Sequence, residues 1–501
     1  MPIPSAVKTP AQILLLTAVF VVSSIHCQVF AATKISPPQS PAALSNEQAI
    51  EFQADSGETT NAFSGHIMVT ENRNNSASRK IRINYVRFPA TGEHKGPPII
   101  YLSGGPGGSG IGTAKWRRYP LFMALRKYGD VIALDQRGTG QSEQAETCVS
   151  SWSLPLNDKL DEQSVKRAYT EAAKQCFRQW QQQGIDPYGY TTVQNALDID
   201  DLRQHLGAET VSLWGISYGS HLALAALKLF PQQINKVVIA SAEGLDQTVK
   251  LPSQTDAYFQ RVQQLINQLP LKQQVPDLAK LMKRVHQKLD NQPMTLRFTL
   301  SEDQESEILF QKPYLQRLAS MMVADPNQYL AMLIQLYLSL DAGDSSLLTH
   351  ILERGVFSDQ AVSFRLMPLA MDVASGISEP RLMQVTDEAK TSLLGQSLNF
   401  PMPLLNRFDA KLDLGDDFRA GPKSKVPTLL FTGTLDGRTY PEEQANAVKG
   451  LSNLSHITVE NGGHNLFTSS PEVLQRMEAF FADQPVSQQP IKLPLPQLKM
   501  Q

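Results

Sequence analysis

The sequence predicts an α/β fold, with a mostly parallel central sheet flanked by helices and one large, mostly helical insertion. Three observations carry this reading. Short β-rich apolar runs without polar alternation, at 98–102, 131–134, 211–216, 237–240, 428–431 and 457–459, are what strands buried on both faces require. Helical stretches at 193–206, 218–230, 442–449 and 471–481 intervene, and alternation of strand and helix argues for a sheet covered by helices. Residues 245–420 break that alternation with amphipathic runs at 258–269, 275–289 and 327–340.

The elements follow in order. Lys8, an apolar run over 13–22 and small residues up to Ala31-Ala32 have the layout of a cleavable secretory signal over 1–31. The run falls short of the roughly 20 residues that a membrane anchor needs. Residues 32–59 read as a flexible leader. Strand-like segments at 65–71 and 80–88, joined by polar 72–78, read as a hairpin opening the first part of the α/β core, 60–244. The insertion 245–420 reads as a helical cap, 421–483 as the second part of the core, and 484–501 as a Pro- and Gln-rich tail lying loosely on the surface. Pro231 and Gly450 are normal helix stops.

Composition narrows the function. With 46 Lys+Arg against 48 Asp+Glu, the formal net charge is −2, which gives no reason to expect a nucleic-acid partner. A hydrophobic content of 42% excludes wholesale disorder. No CxxC or Cys/His cluster stands in the sequence, so no metal site is expected. No other stretch is apolar enough to span a membrane, so no stable insertion is expected once the signal is cut. A monomer is the expectation. Of the three cysteines, Cys27 leaves with the signal. Cys148 and Cys176 remain as an even pair in an oxidising compartment, where a disulfide is expected and two buried thiols are the alternative.

Gly215-Ile216-Ser217-Tyr218-Gly219 is a GxSxG pentapeptide. A strand-like run enters it and an apolar helix leaves it, the setting in which a strained turn exposes a serine oxygen. Ser217 is therefore the candidate nucleophile. A serine hydroxyl needs a base, and the base an orienting acid, in the chain order Ser, Asp, His. Asp436 follows the strand ending near Gly433, and His464 follows the strand 457–459 in Gly462-Gly463-His464. His456 is the competing base, but it lies within a strand. The oxyanion would be met by the backbone N–H of Tyr218 and by one from the glycine loop after 98–102, with Gly105 the first candidate and Gly104 the alternative. That loop lacks the GK[ST] ending of a phosphate-binding loop.

Residues 104–110, Asp135-Gln136-Arg137-Gly138-Thr139-Gly140-Gln141-Ser142, the Ser217 pentapeptide, 433–437 and 462–464 together resemble the α/β-hydrolases of the prolyl iminopeptidase and tripeptidyl aminopeptidase group, over most of 60–483. Ser103 stands where the prolyl enzymes usually carry histidine, and the cysteine pair is similar to that of secreted tripeptidyl-type members. The resemblance implies a cofactor-independent serine exopeptidase acting on short peptides with a free N-terminus, in a secreted or periplasmic setting. Such an enzyme must hold a substrate ammonium with a carboxylate. Glu243, with Gly244 where similar proteins carry an acid-glycine pair, is the first candidate, and Asp372 in the cap is the second. The alternatives are a secreted esterase or acyl hydrolase with the same triad, and a non-catalytic binding protein on the same fold.

Overall fold

In the computed structural model, a ten-stranded sheet runs through the molecule. The structure describes residues 43–93, 95–300, 304–357 and 360–498, so the expected signal and the leader up to residue 42 lie outside the described residues. The strands are β1 (Glu47–Gln53), β2 (Thr59–Thr70), β3 (Lys80–Phe88), β4 (Gly96–Leu102), β5 (Gly129–Leu134), β6 (Val211–Ser217), β7 (Ile234–Ala242), β8 (Thr428–Gly433), β9 (Leu454–Glu460) and β10 (Ile491–Lys492). Their order in space is β1-β2-β3-β5-β4-β6-β7-β8-β9-β10. Strands β1, β2, β3 and β5 pair antiparallel in succession. From β5 onwards every pairing is parallel.

The burial of the parallel strands explains their sequence. Every residue of β8 is buried, as are the first six of β6, so both faces must be apolar. On one face, helices Thr192–His205 and Tyr218–Leu229 cover Leu213, Val237 and Ile239. On the other, Tyr101, Phe122, Trp214, Phe431 and Phe467 pack together, with Trp214 ring centroids 4.7 Å from Tyr101 and 5.6 Å from Phe467. Phe467 belongs to the loop carrying His464, so this cluster ties that loop to the sheet. Removing such a fully buried ring typically costs about 3–5 kcal/mol.

The sequence expectation needs correcting at both ends. Part of the flexible leader is strand β1. Its formation rests on a buried ion pair, because Glu47 accepts from Arg87 and from the Tyr85 hydroxyl on β3. The tail also contributes, as β10 pairs with β9 and buries Ile491 completely.

The insertion has a core of its own. Tyr258, Phe259 and Val262 from helix Pro252–Ile266, Leu281, Met282 and Val285 from Leu278–Asn291, and Leu330, Leu333 and Tyr337 from Pro326–Asp341 form one buried cluster. Leu435 and Tyr440, which flank Asp436, belong to it too, so this cluster is seamed onto the turn after β8. The segment is not wholly helical, since Met294–Thr299 and Glu305–Phe310 make an antiparallel hairpin. Cys148 and Cys176 are bridged, with Cα atoms 5.5 Å apart. The bridge joins helix Glu162–Gln182 to the short strand Cys148–Val149, which pairs with Ser363–Phe364 from the insertion.

Candidate active site

The site is assembled at the carboxyl ends of β4, β6, β7, β8 and β9, where ligands gather in open α/β sheets. Ser217 ends β6 with φ 56° and ψ −128°, a backbone that side chains rarely adopt. The neighbouring glycines make this turn sterically possible. A Cβ on Gly219 would meet the Leu102 carbonyl oxygen at 2.1 Å, and one on Gly215 would meet that of Gly219 at 2.6 Å. The tight turn brings the serine to the floor of a cavity of about 570 Å³.

His464 lines the same cavity, with Asp436 behind it. The His464 Nδ1 lies 3.1 Å from both carboxylate oxygens of Asp436. Asp436 is fully buried and accepts from the Arg438 and Thr439 backbone N–H groups at 2.8 and 2.9 Å, and from the Thr439 hydroxyl at 2.8 Å. Burial alone would raise this carboxyl. The adjacent His464 and the hydrogen bonds outweigh it and hold Asp436 below its ordinary range. An imidazole oriented through Nδ1 leaves Nε2 free for proton transfer. His456 points elsewhere, its Nε2 2.9 Å from the Thr432 hydroxyl.

The base loop is clamped from two sides. Ser241 donates to the His464 carbonyl at 2.8 Å, and the His464 N–H donates to the Ala324 carbonyl of the insertion at 2.9 Å. Gly463 is required there, since a Cβ would meet Pro326 Cδ at 2.5 Å. Residues 323–326 thus form the seat on which the insertion holds His464, a role the sequence reading missed.

The glycine loop lies against the serine, for a Cβ on Gly104 would sit 3.1 Å from Ser217 Cβ. Gly104 and Gly105 both line the cavity. The segment 135–142 props this loop. Gln136 Nε2 donates to the Ser103 carbonyl at 2.8 Å, and Asp135 accepts from the Ser109 hydroxyl at 2.6 Å and the Ile111 N–H at 3.0 Å. Tyr218, whose N–H was the other oxyanion candidate, begins helix Tyr218–Leu229 directly after Ser217, and its ring is buried.

Glu243 and Asp372 reach the same cavity from different elements, the first just beyond β7 and the second from helix Leu366–Ser375 of the insertion. Glu243 is not free. Lys250 Nζ donates to its Oε2 at 2.7 Å, and Lys250 itself lines the cavity. Nothing in the sequence spacing marks Lys250, whose backbone is held by the Asn399 side chain at 2.6 and 2.7 Å. Asp372 is pushed up to about 8, first by burial and then by the charge of Glu243, with Lys250 opposing. Beneath this end His221 is buried, its Nδ1 3.1 Å from the Gly244 carbonyl, and burial lowers its pKa. Among the described residues no group of three or more His, Cys, Asp or Glu is placed to hold a metal ion.

Residues 97–471 match the alpha/beta hydrolase fold family model, three quarters of the sequence, and the chain belongs to that family. Within it, the chain is similar over limited stretches to several curated proteins. It is 28% identical over 193 residues to the tripeptidyl aminopeptidase of Streptomyces lividans, covering 35% of this chain and 34% of that protein. It is 30% identical over 166 residues to the serine protease Hip1 of Mycobacterium tuberculosis (strain ATCC 25618 / H37Rv), covering 31% of each. To the putative hydrolase YuaR of Escherichia coli (strain K12) it is 30% identical over 166 residues, covering 33% of this chain and 32% of that one. The matches thus span about a third of these relatives' length. Among solved structures, a proline iminopeptidase-related protein from Thermus thermophilus aligns at 16% identity and TM-score 0.35, over 84% of this chain and 97% of that one.

Proposed function

We propose that this chain is a serine exopeptidase that hydrolyses short peptides from a free N-terminus. The observation that carries the reading is one cavity holding Ser217 and His464 together with two carboxyl groups, Glu243 and Asp372, aimed into the same space. Ser217 attacks the scissile carbonyl while His464 takes its proton, and Asp436 stabilises the resulting imidazolium. The Tyr218 and Gly105 N–H groups meet the developing oxyanion. His464 then protonates the leaving amine, and water, activated by the same imidazole, releases the acyl group. The peptide's ammonium sits between Asp372 and Glu243, sharing the acid end with Lys250. Asp372 gives up its proton to ionise as the ammonium arrives.

The relatives named tripeptidyl aminopeptidase and serine protease support the peptidase reading. The Cys148–Cys176 bridge favours an oxidising, secreted or periplasmic setting. Among the described residues no helix is long and apolar enough to cross a membrane.

The test is a library of unblocked peptides incubated with purified protein, alongside a fluorophosphonate probe. Labelling at Ser217 and release of N-terminal fragments are expected. Labelling with simple acyl esters cleaved but no peptide products would move the assignment to an esterase. Absence of labelling would leave only a binding protein.

A further inference from the structure

The cavity also carries positive charge, at a place the proposed chemistry does not use. Thr113, Trp116, Arg117 and Arg118, which follow the glycine loop, line it along with Ser217. The Arg117 guanidinium lies 3.7 Å over the Trp116 ring, and Trp116 is 57% exposed, unusual for so large an apolar side chain. Arg118 Nη1 donates to the Tyr101 hydroxyl, and its guanidinium lies over the Tyr101 and Phe467 rings, 5.5 and 5.7 Å from their centroids. A third guanidinium, Arg438, adds positive charge beside Asp436. Among the described residues no carboxylate forms an ion pair with Arg117, Arg118 or Arg438.

The two charged ends are built from different parts of the chain. Glu243, Lys250, Asp372 and Asn399 form one connected group from the end of β7 and the insertion. Trp116, Arg117 and Arg118 follow β4, on the other side of β6 in the sheet, and lean on the loop that carries His464. Ser217, ending β6, lies between them. A peptide held by its ammonium at the acid end and attacked at Ser217 must send its remainder the other way.

We propose that Arg117 and Arg118, walled by Trp116, form a carboxylate subsite for the free C-terminus of the substrate, so that short peptides with both ends free are the substrate class. This rests on the exopeptidase reading for the direction of the chain. A guanidinium presents paired donors that match a carboxylate, and stacking on an aromatic ring fixes its plane beforehand. Arg117 is exposed, so its attraction is screened, and the gain is on the order of tenfold rather than thousands.

The test compares unblocked tetra-alanine with its C-terminal amide. The acid is expected to show a kcat/KM about tenfold higher, mainly through KM, with the gap narrowing in 1 M salt. The double variant Arg117→Gln/Arg118→Gln should bring the gap to within twofold. Because Arg118 is tied to Tyr101, Arg117→Gln alone serves as a second variant and should at least halve the gap. Equal rates on acid and amide in the wild type, or a gap that both variants preserve, would overturn the subsite. If neither peptide is cleaved, the exopeptidase reading has failed, and the same comparison is made on the acetate esters of 4-hydroxybenzoate and 4-hydroxybenzamide. A tenfold preference for the carboxylate ester that the arginine variants abolish would sustain the subsite; equal rates would end it.

Discussion

The triad and the acid end of the cavity lie close together, yet they are built on opposite principles. Around Ser217, Asp436 and His464 the backbone has almost no freedom. Gly219 touches β4, Gly463 touches Pro326, and the buried carboxylate is met by three close donors besides its histidine. At the acid end, Glu243 shares its charge with Lys250 and Asp372 is pushed up to about 8. The first region is satisfied and rigid before substrate arrives, which is what preorganised catalysis requires. The second is electrostatically incomplete, and on the proposed reading an incoming ammonium completes it. On that reading, groups that react are fixed by strand ends, whereas groups that recognise are left with unmet charge.

Several variants would break or sharpen that contrast. The largest effect should come from Ser217→Ala, with kcat falling on the order of 10⁶-fold while peptide binding persists; steady-state kinetics and calorimetry check the two halves. Removing the bridge with Cys148→Ser/Cys176→Ser should cost about 3 kcal/mol, for a loop closed across 28 residues, measured by denaturant unfolding. Gly463→Ala should displace the base loop against Pro326 and lower kcat by about 10²-fold, since sub-ångström to 1 Å misplacement of a reacting group has that effect. An unchanged kcat would show that the insertion does not seat the base.

The smallest effect is the most diagnostic of the acid end. An acid whose folded pKa lies above its ordinary value binds protons more readily when folded. Asp372 therefore subtracts stability as pH rises from about 4 to about 8, and not below. Asp372→Asn should raise Tm at pH 8–9 and leave it unchanged below pH 4. The same variant should raise KM for unblocked peptides about tenfold at pH 8. A variant that loses stability at pH 9 would contradict the assignment of an uncompensated acid.

The sheet was readable in the sequence because each buried parallel strand announces itself locally, as 428–431 and 211–216 do, and the turns after them carry the reactive side chains. Strand β1 was not, because EQAIEFQ looks like a polar leader until Glu47 meets Arg87 forty residues away. Lys250 and the seat at 323–326 were invisible for the same reason, since each matters only through a partner far along the chain. Nothing in the sequence singles out Arg117 and Arg118 until the cavity places them with Ser217.

The most direct test of the account is the ratio of kcat/KM for one peptidyl anilide with a free N-terminus to that of its N-acetylated form. The wild type should favour the free form by at least about 10²-fold, and Glu243→Gln/Asp372→Asn should bring the two within about threefold. Equal cleavage of free and acetylated forms by the wild type would contradict the central claim, that this serine site selects its substrates by their ammonium.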